Sequence, residues 1–100
     1  MDMEVFSDTF ENLGIEIIQV GMNSGNPDNL NILVELSGND KFTEFTKIKA
    51  NAYDKNGQIL ATTYACLDPD DFGGYDTLEV IFNDDDILAR TSKVRLFATR

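Results

Sequence analysis

Four aspartates in one glycine-containing stretch are the residues whose types come closest to a chemical site. They are Asp68, Asp70, Asp71 and Asp76. Calcium takes about six to eight oxygen ligands, mostly carboxylates and backbone carbonyls, so this stretch offers suitable ligands for a divalent cation. The spacing differs from that of an EF-hand loop, because Phe72 stands where a small polar ligand is expected. The alternatives are therefore a calcium-binding loop and an acidic loop that is only solvated.

Two aromatic residues in the same stretch are candidates for binding. Phe72 and Tyr75 flank Gly73 and Gly74, and they would either project as a contact pair for a partner or fold over the end of the structure and close its core. Aromatic residues dominate interface hot spots, which favours contact. The large area that an aromatic ring gains by burial favours the closing role more strongly.

The residue types give catalysis little support. The chain contains no histidine, which is the commonest general base near neutral pH. Its single cysteine, Cys66, follows Ala65 in a strand-like run, and we expect a small buried hydrophobic residue there. An acid-pair hydrolase is the enzymatic alternative, and it needs two of the 18 acidic residues to converge in one pocket. We expect a protein without enzymatic activity.

The formal net charge of −10 is distributed in blocks. Residues 1–40 and 56–89 contain no basic residue, whereas residues 41–55 and 90–100 contain all eight lysines and arginines. A negative overall field repels phosphate backbones and anionic lipids, so nucleic acid and membranes are poor partners. We expect a protein partner, with self-association through edge strands as a further contact. Solubility alone is the simpler explanation of the surplus charge.

The stretch from residue 48 to residue 64 predicts a β-hairpin. Ile48, Ala50 and Ala52 alternate with polar residues, and a period of two places one set on a buried face. The following Asn56-Gly57 tolerates the positive φ that a tight turn needs. Alternation resumes from residue 59 to residue 65, which completes the return strand.

The remaining patterns predict an all-β fold. Further strands are expected at residues 13–20, 30–36, 78–82 and 94–98, with a seventh at residues 5–10. A short helix is expected within residues 83–90, capped by Asn83 or Asp84. This spacing predicts a single-domain antiparallel β-sandwich of about seven strands in the immunoglobulin style, with a partly open β-barrel as the alternative. The expected core residues are Ile15, Ile17, Leu30, Ile32, Val34, Ile48, Ala50, Ala52, Leu60, Val80, Phe82, Val94 and Leu96.

The hairpin also resembles a known family. The run Ile48-x-Ala50-x-Ala52-Tyr53-Asp54-x-Asn56-Gly57-x-Ile59-Leu60, followed by Gly74-x-x-x-Leu78-x-Val80, is similar to the FxLYD-type immunoglobulin-like domains of bacterial proteins. The similarity covers about residues 30–82. It departs from the family pattern at Leu78, where phenylalanine is usual, and in the acidic insertion at residues 68–71. The resemblance implies an accessory module, often of cell-envelope proteins, with no catalytic residues.

We therefore expect a non-enzymatic binding or structural module that mediates protein interaction. A calcium-dependent ligand-binding module and a small acid-pair hydrolase are the alternatives. The first residues have neither a basic nor an apolar leader segment, and no apolar run approaches membrane-spanning length. The location is left open between the cytoplasm and, by resemblance, the cell envelope.

Overall fold

A computed structural model describes residues 1–100 and contains seven strands and two short helices. Strands therefore dominate, as the period-two patterns predict. The elements are β1 (Asp2–Val5), α1 (Ser7–Glu11), β2 (Ile15–Asn23), β3 (Asn29–Gly38), β4 (Thr46–Tyr53), β5 (Ile59–Leu67), β6 (Tyr75–Asn83), α2 (Ile87–Arg90) and β7 (Lys93–Thr99).

The strands form two separate sheets. One sheet has four strands in the order β1-β7-β4-β5, and the other has three in the order β2-β3-β6. All neighbours are antiparallel except β1 and β7, which run parallel. Each sheet turns one face towards a common hydrophobic core, so the all-β prediction is confirmed and the fold is sandwich-like. The buried core consists of Phe10, Ile15, Leu30, Ile32, Val34, Leu36, Phe42, Ile48, Ala50, Ala52, Leu67, Val80, Phe82, Ile87, Val94, Leu96 and Ala98.

The predicted hairpin is confirmed as the pair β4–β5. Gly57 has a φ of 80°, which is the left-handed conformation that glycine adopts without steric cost. The Asp54 carboxylate accepts the backbone N–H of Asn56 at 2.8 Å and that of Gln58 at 3.0 Å. Local hydrogen bonds of this kind fix the turn and with it the register of the two strands.

A β-bulge explains the irregular alternation in β2. The register with β3 shifts between Ile17 and Gln19, so Ile18 is the extra residue and lies exposed. Ile17 and Val20 both pack against the core, although a strict period of two would separate them. The bulge thus shifts the alternation by one residue, so that Val20 rather than Gln19 faces the core.

The strand predicted at residues 5–10 is wrong. β1 ends at Val5, and α1 follows, with the Thr9 hydroxyl donating to the Phe6 carbonyl at 2.7 Å. The helical turn carries Phe10 into the core, where it is fully buried. A single helical turn and a short strand can each place one large apolar residue inward. The sequence pattern alone therefore does not distinguish the two.

The helix predicted within residues 83–90 is present but is limited to the four residues of α2. Asp86 is its N-cap, in a left-handed conformation, and the predicted caps Asn83 and Asp84 are wrong. The preceding turn is held instead by Asp28, whose carbonyl accepts the Asp84 N–H and whose carboxylate accepts the Asp86 N–H. Neither helix of the protein is long and apolar enough to cross a membrane.

The expected core is confirmed except at two positions. Ile17 and Leu60 are only partly buried and pack against the core from its margin. Cys66, expected to be buried, is exposed. The reason is parity along β5: the inward residues are Ala61, Thr63 and Ala65, so Cys66 points outward. The buried residues absent from the expected core are Phe10, Leu36, Phe42, Leu67, Ile87 and Ala98.

Candidate functional site: the outer face of the four-stranded sheet

The four predicted calcium ligands do not form a metal-binding cluster. The Asp68 carboxylate accepts the backbone N–H of Asp70 at 2.9 Å, which stabilises the turn itself. Asp76 lies on β6 opposite Leu36 and accepts the N–H of Thr77. No group of three or more acidic or cysteine side chains in the protein could hold a metal ion. The calcium prediction therefore rests on residue types alone.

The two predicted binding aromatics have different environments. Phe72 is half-buried and packs edge-to-face on Phe42, with ring centroids 5.4 Å apart and an interplanar angle of 76°. A Cβ at Gly38 would lie 2.8 Å from the Phe72 ring, so glycine allows this close approach. Tyr75, by contrast, is 56% exposed. Phe72 closes the end of the core, and Tyr75 remains a surface residue.

The outer face of the four-stranded sheet is the most distinctive surface of the protein. Four of the eight basic residues point outward from its two central strands, although the protein as a whole is strongly acidic. Strand pairing places Lys49 opposite both Tyr64 on β5 and Phe97 on β7. We call this surface the cationic face; its residues are Lys47, Lys49, Asn51, Tyr53, Thr62, Tyr64, Lys93, Arg95 and Phe97.

Only half of the cationic face is neutralised within the protein. Glu4 on β1 accepts ion pairs from Lys93 at 3.6 Å and from Arg95 at 3.5 Å. Lys47 and Lys49 make no ion pair. The uncompensated positive charge therefore lies on β4, towards β5 and away from β1.

Aromatic rings hold the basic side chains against the sheet. The Arg95 guanidinium lies 4.8 Å from the centroid of the Tyr53 ring, and the Lys47 ammonium lies 5.1 Å from that of Tyr64. The negative electrostatic potential above an aromatic ring attracts such cations. A cleft of about 440 Å³ opens on the β5 side of this face, with Lys47, Lys49, Tyr64 and Phe97 in its lining. The arrangement combines cationic and aromatic groups in one open site.

A larger cleft, of about 590 Å³, lies at the end of the sheet between the β4–β5 turn and α2. Its charged residues are of both signs, namely Asp54, Lys55 and Arg90. The Asp54 carboxylate already accepts two backbone hydrogen bonds within the turn. This cleft is therefore a gap between turns, and its mixed charges specify a ligand less clearly than the side chains of the cationic face do.

The outer face of the three-stranded sheet is opposite in charge. No lysine or arginine occurs on β2, β3 or β6, whereas Glu16, Glu35 and Glu79 point outward from them. We call this surface the acidic face. There the Tyr75 hydroxyl donates to the Glu35 carboxylate, and this hydrogen bond, with partial desolvation and the Glu35 charge, raises the pKa of Tyr75 above 10.0.

The cationic face was not predicted from the sequence, although part of its signal is present there. Lys49 and Arg95 occupy outward positions of predicted strands, and Lys47 directly precedes the first of them, in the two blocks that contain all basic residues. What the sequence lacks is the pairing of β4 with β7, which are separated by more than a third of the chain. Pairing between such distant strands is set by tertiary packing.

Comparison with known proteins supports the fold. No protein-family model matches the chain, and no curated protein sequence matches it. A crystal structure of Campylobacter jejuni cj0090 is similar, with a TM-score of 0.55, 18% sequence identity, and coverage of 96% of this chain and 94% of that chain. At this identity the likeness concerns the fold alone.

Proposed function

We propose that this protein is a non-enzymatic binding module with an immunoglobulin-like sandwich, and that its cationic face binds an acidic segment of a protein partner. The observation that carries the proposal is the pair Lys47 and Lys49, two cations without an ion pair beside the exposed Tyr64 ring and the half-buried Phe97 ring. An acidic side chain of a partner would supply the missing counter-charge. Aromatic and basic residues together are also typical of interface hot spots.

The net negative charge of the protein is compatible with an acidic partner. Stacked sheets lie about 10 Å apart, and the Debye length is about 8 Å at physiological ionic strength. The acidic face is therefore screened from a ligand on the opposite side of the molecule. Because the acidic face lacks basic residues, an acidic partner is directed to the cationic face, and charge complementarity sets its orientation.

The alternative functions have less support in the geometry. An acid-pair hydrolase needs two carboxylates in one cleft, and the 590 Å³ cleft contains a single carboxylate, Asp54. A calcium-dependent module needs ligands that converge, and the aspartates of the acidic loop do not. The FxLYD resemblance and a role as an accessory module of the cell envelope are consistent with a binding domain and belong to the same proposal.

Isothermal titration with a short poly-L-glutamate tests the proposed face. The variant Lys47→Glu/Lys49→Glu should lose at least about tenfold in affinity, which corresponds to about 1.4 kcal/mol. Its control is Lys41→Glu/Lys55→Glu, which changes the net charge equally at two exposed loop positions outside the face. Equal losses in the two variants would show that only net charge matters and would refute the proposal.

A further inference from the structure

Strand β5 is a sheet edge without a hydrogen-bonded neighbour on its outer side, where β6 of the other sheet lies nearby. It is a terminal strand of its sheet and pairs only with β4, so the hydrogen-bonding groups on its other side have no strand partner. It is also the only strand without a charged residue, and it contains neither proline nor glycine over its nine residues. Exposed edges of this composition readily accept an additional strand.

The other three sheet edges carry features that oppose strand addition. β1 has only four residues, two of them acidic. β2 contains Glu16, Gly21 and the bulge at Ile18, and β6 contains Asp76 and Glu79. Short length, charge, glycine and bulges all discourage pairing with another chain. The contrast singles out β5.

The free cations of the cationic face lie next to this edge. Lys47 belongs to the central strand β4, but its ammonium lies over the Tyr64 ring of β5, 5.1 Å from the ring centroid. It therefore extends sideways towards the open edge. Neighbouring strands lie about 4.8 Å apart, so a strand added to β5 would bring its outward side chains close to this ammonium.

We infer that an extended segment of the acidic partner adds to the free edge of β5 as a further strand. Its outward side chains would be acidic and face Lys47 and Tyr64, since residues on one face of a strand recur with a period of two. Its inward side chains would be apolar, because Ala61 and Ala65 are only partly buried at this edge and would gain cover. The expected ligand is thus an alternating acidic and apolar strand. The inference rests on the proposed function, whose face it shares.

A second copy of the chain fits this edge less well. Pairing of β5 with β5 of another copy would bring only uncharged residues to the edge, since the strand has no charge. Lys47 and Lys49 would then still lack a counter-charge. Charge complementarity favours an acidic strand.

The test uses a capped nonapeptide of alternating glutamate and valine, which matches the nine residues of β5. Its control carries N-methyl groups on two adjacent central residues, so both of its backbone edges are blocked while its charge and side chains are retained. The unmethylated peptide should bind at least about tenfold more tightly. Amide hydrogen exchange should slow at alternate residues of β5 and remain unchanged on β2 and β6.

The possible outcomes distinguish strand addition to β5 from the binding of acidic groups at the cationic face. Equal affinity of both peptides, with no protection of β5, would overturn strand addition while leaving a charge-dependent cationic face intact. Loss of binding in the methylated peptide, together with unchanged affinity in Lys47→Glu/Lys49→Glu, would overturn the acidic preference and the proposed function. Protection of β5 that depends on protein concentration without peptide would show that a second copy occupies the edge and would overturn the inference.

Discussion

The two outer faces of this protein have the same backbone architecture and opposite chemistry. On the four-stranded sheet, four basic residues alternate with the core residues of β4 and β7. On the three-stranded sheet, the charged residues that alternate with the core are glutamates. Because both faces are built by the same period of two, the difference arises only from which residue types occupy the outward positions.

The comparison shows how an acidic protein can present a cationic surface. The inner faces are apolar on both sheets, so the fold constrains the outward residues only weakly. Aromatic rings and the stems of long basic side chains cover the cationic face, which makes it more structured than the acidic face. On the acidic face, the corresponding contact between an aromatic and a charged side chain is the Tyr75–Glu35 hydrogen bond.

The largest expected effect is the difference in unfolding free energy between variants of two aromatic residues, Phe72 at the end of the core and Tyr75 on the acidic face. Phe72→Ala should reduce the free energy of unfolding by about 2 to 3 kcal/mol, because it removes a half-buried ring from Phe42. Tyr75→Ala should cost clearly less than Phe72→Ala, since its ring is largely exposed. Urea unfolding of both variants measures the difference. Equal losses would show that the acidic face contributes to the fold as strongly as the end of the core does.

The next prediction compares one charged residue from each face. Arg95→Ala should destabilise the protein by about 1 to 2 kcal/mol, because it removes the contact with Tyr53 and the packing of the arginine stem. Glu35→Ala should change stability by no more than about 0.5 kcal/mol. Thermal and urea unfolding are the measurements, with Arg95→Lys as the control that retains charge. A smaller effect for Arg95→Ala than for Glu35→Ala would contradict the view that the cationic face is the more structured.

A smaller effect is expected when the acidic face is made basic. Glu16→Lys/Glu79→Lys changes the net charge by four units in the positive direction at two acidic-face positions other than Glu35, the hydrogen-bond partner of Tyr75. Poly-L-glutamate should bind this variant no more than about threefold more tightly, because long-range charge mainly affects association rates. Titration calorimetry at two salt concentrations gives the affinity. A gain of more than about tenfold would mean that charge alone, without the aromatic rings, makes a binding face.

The smallest effect concerns the titration of Tyr75. Glu35→Gln should lower the pKa of Tyr75 towards 10.0, because it removes the carboxylate acceptor and its charge. Since the folded-state pKa is raised, the corresponding stability is present below the unfolded-state pKa and is lost as the pH rises through the folded-state pKa. Ultraviolet titration of tyrosinate measures the shift, with Tyr75→Phe identifying the signal. An unchanged titration curve in Glu35→Gln would exclude the hydrogen bond in solution.

Local patterns in the sequence determined the hairpin, most strand positions and most of the core. Ile48, Ala50 and Ala52 alternate with polar residues, and Asn56-Gly57 supplies the turn, so both features follow from neighbouring residues. The helix around Phe10 was beyond such reasoning, because one buried aromatic in a short segment fits a strand and a helical turn equally well. The outward position of Cys66 was also missed.

Tertiary structure alone decided the candidate site. The sequence contains Lys47, Tyr64 and Phe97, but only the order β7-β4-β5 places them on one face. The terminal position of β5 in that order leaves one of its sides without a hydrogen-bonded strand. Strand order depends on which distant segments pair, and that choice reflects burial and packing across the whole core. A period of two along one strand specifies which residues point outward, but it contains no information about which strand lies beside it.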